Sequence, residues 1–289
     1  MTIVTFLTEP LAFGFMQRGM LAVVMVGTLC AIIGCYVVLR SMAFLGDALA
    51  HAILPGVAVA YLLKGDLIVG ALVAAVVVAL GIGVFSRQGA IKEDTAIGIM
   101  FAAALSLGIA LISTIKTYAV DLTHILFGNV LGVGVNDLWL TGALGLIVLA
   151  TIALLYKEFL VISFDPVLAA TLRLPAELLR NVMLILIALT IVVSLQTVGV
   201  GLVSAMLVTP AATAYLLTRR LPTMMALSAL IGAFSGMAGL YLSFYINVAS
   251  GAAVVLMATG LFMLVFLFSP RQGIVWRSLR GRRERLVRA

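Results

Sequence analysis

Asp47 and His51 are two chemically versatile residues four positions apart in the apolar stretch "SMAFLGDALAHAILPG". Residues four apart stack on one face of an α-helix, so the carboxylate, the imidazole and Pro55 are predicted to form one stripe. Carboxylate oxygen and imidazole nitrogen together suit a divalent cation such as Mn²⁺, Fe²⁺ or Zn²⁺. Two ligands hold an ion loosely, which suits a site that the ion must also leave. The alternative is an Asp–His hydrogen bond that only joins two helices.

The chain that must position these residues is too apolar for a soluble protein. Its 289 residues are 64% hydrophobic and 10% charged, with a mean hydropathy of +1.28. No soluble domain of this length buries so much apolar surface, so we predict an all-α polytopic membrane protein. About nine transmembrane helices are expected, with eight or ten as the alternatives. The apolar runs lie at about 19–39, 42–63, 67–85, 94–113, 137–156, 179–197, 200–217, 223–246 and 251–268.

The second run places His51 deep in the bilayer. At about 1.5 Å per residue, His51 lies some 13–14 Å from the start of a helix beginning near Met42, close to the middle of a ~30 Å hydrocarbon core. An ionised Asp at such a depth costs ~2.5–3.5 kcal/mol and normally faces a cavity, a partner or a substrate. A neighbouring stripe of small residues, which includes Gly56, lets another helix approach closely. Pro55 and Gly56 are therefore predicted pore or hinge positions.

The basic residues predict the orientation. The net charge is +7, and seven of the 18 Lys and Arg residues lie in the last 20 positions, after the final apolar run. Such a tail indicates the cytoplasmic side of a membrane and contact with lipid head groups, not binding to nucleic acid. We predict one transmembrane domain over residues 1–270, a basic cytoplasmic tail over 271–289, and an N-terminus on the outside.

Two connections are too long to be simple turns. In the cytoplasmic connection, residues 157–180, Asp165 is a suitable N-cap and Pro166 fits the first position of a short helix that stops before Pro175. The outer connection, residues 114–136, is too polar and too rich in glycine to span. A half-inserted helix over a cavity is one arrangement open to it.

Further polar residues each have two interpretations. Glu93 and Asp94 lie at the start of the fourth run, where acidic residues complement the helix dipole. One interpretation is that Asp94 or Thr95 caps the helix, and the other is that the acidic pair draws an ion towards the cytoplasm. Asp121 and His124 in the outer connection either meet an incoming ion or cap a half-helix. Pro210 in mid-run marks either a pore-lining hinge or an ordinary kink.

Several motifs of soluble enzymes are missing. The chain has no Gly-x-x-x-x-Gly-Lys-Ser/Thr phosphate loop, no Gly-x-Ser-x-Gly elbow and no His-Glu-x-x-His helix. Two kinds of membrane protein that use such polar residues stay open. They are an ion-coupled secondary carrier, which usually shows inverted repeats that are not evident here, and an intramembrane metal-dependent hydrolase using His51.

Six blocks in order resemble the permease subunit of bacterial manganese/zinc/iron ABC importers, over residues 9–273. They are "VLRSMAFLGDALAHAILPGVAVAYLL", "EDTAIGIMF", "DLTHILFGNVLGV", "FDPVLAATLRLP", "LQTVGVGLVSAMLVTPAATAYLL" and "LFSPRQG". The segments "HILFGN" and "LVTPAATAYL" favour the manganese branch, with zinc and iron as alternatives.

This resemblance implies a type II ABC-importer-like bundle with a short cytoplasmic coupling helix, in the bacterial cytoplasmic (inner) membrane. It implies two cytoplasmic ATPase subunits, a second permease copy or a sister permease, and an external metal-binding lipoprotein or periplasmic protein. ATP would be hydrolysed by the partner subunits, so the chain itself would be no enzyme. Mn²⁺, Zn²⁺ or Fe²⁺ would be its substrate, with no permanently bound cofactor.

The resemblance also assigns roles to residues. Asp47 and His51 would line the translocation path, and residues 165–175, which include Ala169, would dock on the ATPase. Relatives usually have Gly at the position of Arg173. A left-handed helix end is therefore in question there, and Arg173 is predicted to pair instead with an acidic ATPase residue.

Overall fold

The computed structural model describes residues 8–87, 91–114, 130–164 and 166–269, except for the side chains of residues 166 and 170. In this part of the chain all the regular elements are helices. Short 3₁₀ turns occupy Pro10–Ala12 and Val130–Gly132. The α-helices are α1 Gly14–Leu39, α2 Leu45–Ala52, α3 Leu54–Leu62, α4 Leu67–Phe85, α5 Glu93–Ser113, α6 Val135–Leu154, α7 Tyr156–Phe164, α8 Pro166–Thr171, α9 Ala176–Val198, α10 Val200–Leu217, α11 Leu221–Ile246 and α12 Ser250–Phe268.

Within the described ranges, nine segments are long and apolar enough to cross a membrane. Helices α2 and α3 together form one of them, Leu45–Leu62. The prediction of an all-α membrane protein with about nine spans is confirmed. The predicted division into residues 1–270 and a tail stays a prediction, because 270–289 lie outside the described residues.

Helix α1 forms the centre of the bundle and packs against α10 and α11. Glycines allow these helices to meet backbone to backbone. A Cβ atom built at Gly34 would lie 1.8 Å from the carbonyl oxygen of Leu207, and one at Gly232 would lie 2.6 Å from that of Gly27. Small residues at such crossings let membrane helices gain van der Waals contact where no hydrophobic driving force exists between them.

The second span is broken in the middle. Helix α2 ends at Ala52 and α3 begins at Leu54, with Pro55 in its first turn. Proline has no N–H, so the carbonyl group of His51 receives no helical hydrogen bond from residue 55. The span also begins at Leu45 and not near Met42, because α1 ends in a left-handed turn at Ser41, where φ is 57° and the Met42 N–H bonds to the Val37 carbonyl.

The small-residue face of this span packs as predicted. A Cβ atom built at Gly56 would lie 2.1 Å from the carbonyl oxygen of Gly70, and one at Gly70 would lie 2.4 Å from that of Gly56. Helices α3 and α4 therefore cross in direct backbone contact.

The connection over residues 157–180, which was predicted to be cytoplasmic, contains two helices where one was predicted. Pro166 is the first residue of α8, as expected, and α8 ends at Thr171, well before Pro175. The additional helix α7 is anchored by Phe159, which is fully buried and packs edge-on against Tyr36 of α1 with ring centroids 5.8 Å apart. Asp165, the predicted N-cap, lies outside the described residues.

The doubt about a left-handed helix end at Arg173 was misplaced. Arg173 has a φ of 53°, and the Leu174 N–H bonds to the Ala169 carbonyl oxygen at 3.0 Å. This is the Schellman arrangement that glycine usually supports. An Arg there costs about 1–2 kcal/mol of backbone strain, which the surrounding turn must offset.

Candidate functional site

Asp47 and His51 lie one turn apart on α2, as the spacing predicted. The Asp47 Oδ1 atom and the His51 Nε2 atom are 3.8 Å apart, which is beyond hydrogen-bonding distance. Ligand atoms lie roughly 2.0–2.2 Å from a divalent transition metal, so two ligands of one ion can be at most about 4.4 Å apart. The two atoms therefore already stand at a separation that one cation could bridge.

Both side chains are partly open on one face of the span. The exposed fraction is 46% for the Asp47 side chain and 33% for that of His51. The neighbouring residues Ala48 and Ala52 are buried. A carboxylate in a membrane span is costly when it faces lipid. This face therefore calls for a cover that provides polar contact, such as an ion, water or another protein.

Two residues from distant helices contact this pair. Ser204 of α10 is within 3.5 Å of Asp47 Oδ1 through its hydroxyl group, which also donates to the Val200 carbonyl at 3.2 Å. Phe101 of α5 contacts the His51 ring, with centroids 6.2 Å apart and an interplanar angle of 60°. Asp47 and His51 do not form a hydrogen bond with each other, so the alternative of an Asp–His bond that joins two helices does not hold. The polar contact between helices is made instead by Ser204 of α10 with Asp47.

Sequence reasoning assigned no site role to Ser204 or Phe101. Ser204 is 157 residues from Asp47, and Phe101 is 50 positions after His51, so no local spacing connects them. The one available signal was that Ser204 is a hydroxyl residue inside an apolar run.

The described residues of this chain do not by themselves provide a complete coordination shell. In the described part of the chain, no three or more His, Cys, Asp or Glu side chains come together in a way that could hold a metal. Cys30 and Cys35 are free thiols buried in α1. The residues present fit two ligands of a passing divalent cation, so further ligands must come from water, a second chain or segments outside the described residues.

Pro55 and Gly56 border a different space. They line an apolar groove of about 700 Å³ between α3, α4 and α5. Ala52 and Asp66 are also among the residues that line this groove. Neither Asp47 nor His51 lines it, and nearly all of its wall is hydrocarbon. The groove thus offers little to a cation. The predicted pore or hinge role of the two residues stays a prediction.

The acidic residues at the start of α5 occupy different environments. Glu93 pairs with Arg40 at the end of α1, whereas Asp94 is exposed. The predicted capping of this helix by Asp94 or Thr95 is wrong. The helix begins one residue earlier, at Glu93, with Lys92 as its N-cap and no capping hydrogen bond from a side chain. Both carboxylates still lie in the first turn, where they complement the helix dipole.

The other candidates are placed as follows. Asp121 and His124 lie outside the described residues, so their role stays a prediction. Pro210 is buried inside α10, which continues through it as one helix. Ala169 is buried beneath the turn that contains Arg173, and Pro175 is the N-cap of α9. The ATPase-docking role of these three residues stays a prediction.

Comparison with known proteins agrees with this architecture. Residues 12–269 match the model of the ABC 3 transport family. The chain is 47% identical to the manganese transport system membrane protein MntC of Halalkalibacterium halodurans, over 98% of this chain and 97% of the relative. It is 38% identical to the manganese import system permease protein ScaB of Streptococcus gordonii, over 93% and 96%.

A solved structure shares the fold along almost the whole chain. PsaBC from Streptococcus pneumoniae in complex with Fab superposes with a TM-score of 0.81 and 38% identity, covering 94% of this chain and 98% of that one. The family match covers residues 12–269, and both relatives align over more than nine-tenths of the chain. The chain belongs to the ABC 3 transport family.

Proposed function

We propose that this chain is the membrane-spanning subunit of an ATP-driven importer of divalent transition-metal ions, with Mn²⁺ as its principal substrate. The observation that carries the proposal is the Asp47–His51 pair, whose ligand atoms are 3.8 Å apart on a partly open face of a broken span. The manganese transport names of the relatives support the choice of metal.

The donor atoms are consistent with this substrate. Carboxylate oxygen suits Mn²⁺, while imidazole is shared with Zn²⁺ and Fe²⁺, and soft thiolate ligands would favour other ions. Cys30 and Cys35 are buried in α1 and offer no thiolate to the path. Zn²⁺ or Fe²⁺ import remains the nearest alternative, because neither Asp47 nor His51 rejects these ions by geometry alone.

A second permease copy or a sister permease completes the path in this proposal. The half-exposed Asp47 carboxylate needs a polar cover within the membrane. A partner that presents an equivalent pair would supply both the cover and further ligands. An external metal-binding protein delivers the ion, and Asp121 and His124 are the residues assigned to receive it. Asp94 is assigned to the cytoplasmic exit, because Glu93 is already paired with Arg40.

Two cytoplasmic ATPase subunits supply the driving force. Their docking surface is residues 165–175, with α7 as a rigid support because Phe159 is packed against Tyr36 of α1. Closure of the ATPases on ATP would move α7 and α8 and, through α1, the whole bundle. Pro55, Gly56 and Pro210 are the positions assigned to bend. The chain is placed in the bacterial inner membrane with its C-terminus in the cytoplasm.

The primary test is uptake of Mn²⁺ by cells that express the complete complex. Asp47→Asn and His51→Ala are expected to abolish uptake, because each removes one of two ligands, while membrane levels and ATPase association stay unchanged. Glu177→Gln is the control, since Glu177 is half-exposed and pairs with Arg87 near the cytoplasmic ends of α4 and α9. Uptake near the wild-type level in both site variants would refute the role of the pair.

A second measurement separates the alternatives. Competition among Mn²⁺, Fe²⁺ and Zn²⁺ in the intact complex identifies the preferred ion. A secondary carrier would transport without a co-purifying ATPase and would respond to an ion gradient instead of ATP. An intramembrane hydrolase would cleave a substrate with no net ion movement.

A further inference from the structure

Phe101 is the aromatic residue that α5 presents to the metal-ligand pair. Its ring lies between two side chains of the second span: His51, at a centroid distance of 6.2 Å, and Phe44, at 5.5 Å and an interplanar angle of 88°. Phe44 and His51 are seven positions apart and therefore lie on the same face of the segment, with Asp47 between them. Phe101 thus contacts the residues that flank Asp47 on this face, His51 and Phe44.

The position of α5 against this span is fixed at a second level. A Cβ atom built at Gly108 would lie 2.7 Å from the Leu54 Cβ and 3.1 Å from the Pro55 nitrogen. Gly108 is seven residues after Phe101, and Ala104, which is 8% exposed, lies between them on the same face. Because the contact at Gly108 leaves no room for a side chain, the register of α5 sets the place of the Phe101 ring.

His51 has little else to fix its orientation. In the described part of the chain it accepts or donates no hydrogen bond, and Asp47 is too far away to form one. Metal-binding histidines are usually oriented by a hydrogen bond at the nitrogen that does not bind the metal. Aromatic contacts of the T-shaped kind provide a weaker but directional restraint.

We propose that Phe101 is a positioning residue for His51: its ring restricts the imidazole to rotamers in which Nε2 points towards Asp47. This inference rests on the proposed function, because it requires His51 to be a metal ligand. Phe101 does not contact the ion. Without the Phe101 side chain, the His51 imidazole is free to turn away from Asp47. Metal affinity then falls, because this rotational freedom must be lost when the ion binds.

The test is direct binding of Mn²⁺ to the permease–ATPase complex in nanodiscs, measured from the EPR signal of the free ion. Phe101→Leu is expected to weaken binding roughly tenfold, as is typical for residues that orient a metal ligand. Phe101→Tyr, which keeps the ring, should restore wild-type affinity. Ile99→Ala is the matched control on the same helix, since Ile99 is 47% exposed and points away from the pair; its affinity should not change.

A double variant distinguishes positioning from a general structural role. In a His51→Ala background, Phe101→Leu should cause no additional loss, because its effect acts through His51. Two results would overturn this inference and leave the proposed function intact. One is an equal loss of Mn²⁺ binding on Phe101→Leu with and without His51. The other is wild-type Mn²⁺ binding by Phe101→Leu when His51→Ala does not bind. Wild-type binding by His51→Ala would overturn the proposed function as well.

Phe44→Leu provides an independent variant if Phe101→Leu does not assemble. Phe44 also packs edge-on against the Phe101 ring and is 44% exposed, so its shortening disturbs packing less. It should weaken Mn²⁺ binding by a smaller factor than Phe101→Leu, with an unchanged thermal unfolding temperature. Unaltered binding in this assembled variant would contradict the restraint by the aromatic pair.

Discussion

Arg40 and Glu93 form a largely buried ion pair that joins the end of α1 to the first turn of α5. Arg40 Nη2 donates to Glu93 Oε1, and the exposed fractions of the side chains are 13% and 23%. Burial lowers the pKa of the Arg40 guanidinium, and the Glu93 charge acts in the opposite direction. The pair therefore holds together two helices, one of which contacts α7 and the other the Asp47–His51 pair.

The first prediction is that Arg40→Met destabilises the protein strongly. Removal of one partner from a buried pair costs about 3–5 kcal/mol when the remaining charge is fully buried, and the partial exposure of Glu93 places the loss towards the lower end. Glu93→Gln added to this variant should recover most of the stability, because no unpaired charge remains. The apparent unfolding temperature of the purified complex is the measurement. No recovery in the double variant would contradict this account.

The same double variant tests whether Glu93 handles ions. The protein with both Arg40→Met and Glu93→Gln is expected to transport Mn²⁺ at close to the wild-type rate. Arg40 already balances the charge of Glu93, so the presence of this carboxylate needs no metal ion to explain it. If the stable double variant loses uptake, Glu93 has a role in the exit path. Asp94→Gln provides the comparison, because Asp94 is exposed in the same helical turn.

The nine spans and the Asp47–His51 stripe were predictable because both depend on local patterns. Run length and hydropathy determine a span, and a spacing of four determines a shared face. The packing face was predictable for the same reason, as the Gly56–Gly70 crossing confirms.

Contacts between distant helices were not predictable from these patterns. Nothing local connects Arg40 with Glu93, or Phe101 with His51, because each pair depends on how α1, α2 and α5 pack. The prediction for the helix end at Arg173 was wrong for another reason. Glycine is the usual residue at a left-handed helix end, but Ser41, Lys64 and Arg173 all adopt positive φ here because the following N–H reaches back to the helix.

The second prediction concerns the crossing of α3 and α4. Gly56→Ala should lower the unfolding temperature and the amount of assembled protein, because the new methyl group would overlap the Gly70 carbonyl and force the helices apart. Gly98→Ala is the control, since a Cβ atom there meets nothing within 4 Å. That variant should be neutral or slightly more stable. Equal behaviour of the two variants would refute the close crossing.

The third prediction is a modest effect of Ser204→Ala. The hydroxyl is shared between the Val200 carbonyl and Asp47, and its 3.5 Å distance from Asp47 Oδ1 makes the second contact weak. Mn²⁺ binding should weaken by about threefold or less, which corresponds to the low end of side-chain hydrogen bonds. Thr151→Ala is the control, because Thr151 donates to the Ile147 carbonyl on an exposed face of α6. A loss as large as that of Asp47→Asn would make Ser204 a ligand.

The fourth prediction separates the backbone of Arg173 from its side chain. Arg173→Gly keeps the left-handed turn and relieves about 1–2 kcal/mol of strain, whereas Arg173→Val opposes the turn with a β-branched residue. Both variants remove the guanidinium. If Arg173 pairs with an acidic ATPase residue, both should lose ATPase association, measured by co-purification, although the glycine variant unfolds at a higher temperature. If only the turn matters, the glycine variant should associate normally and the valine variant should not. We expect the first result, because the Arg173 side chain is exposed at the end of α8 and is therefore available to an acidic residue of a partner.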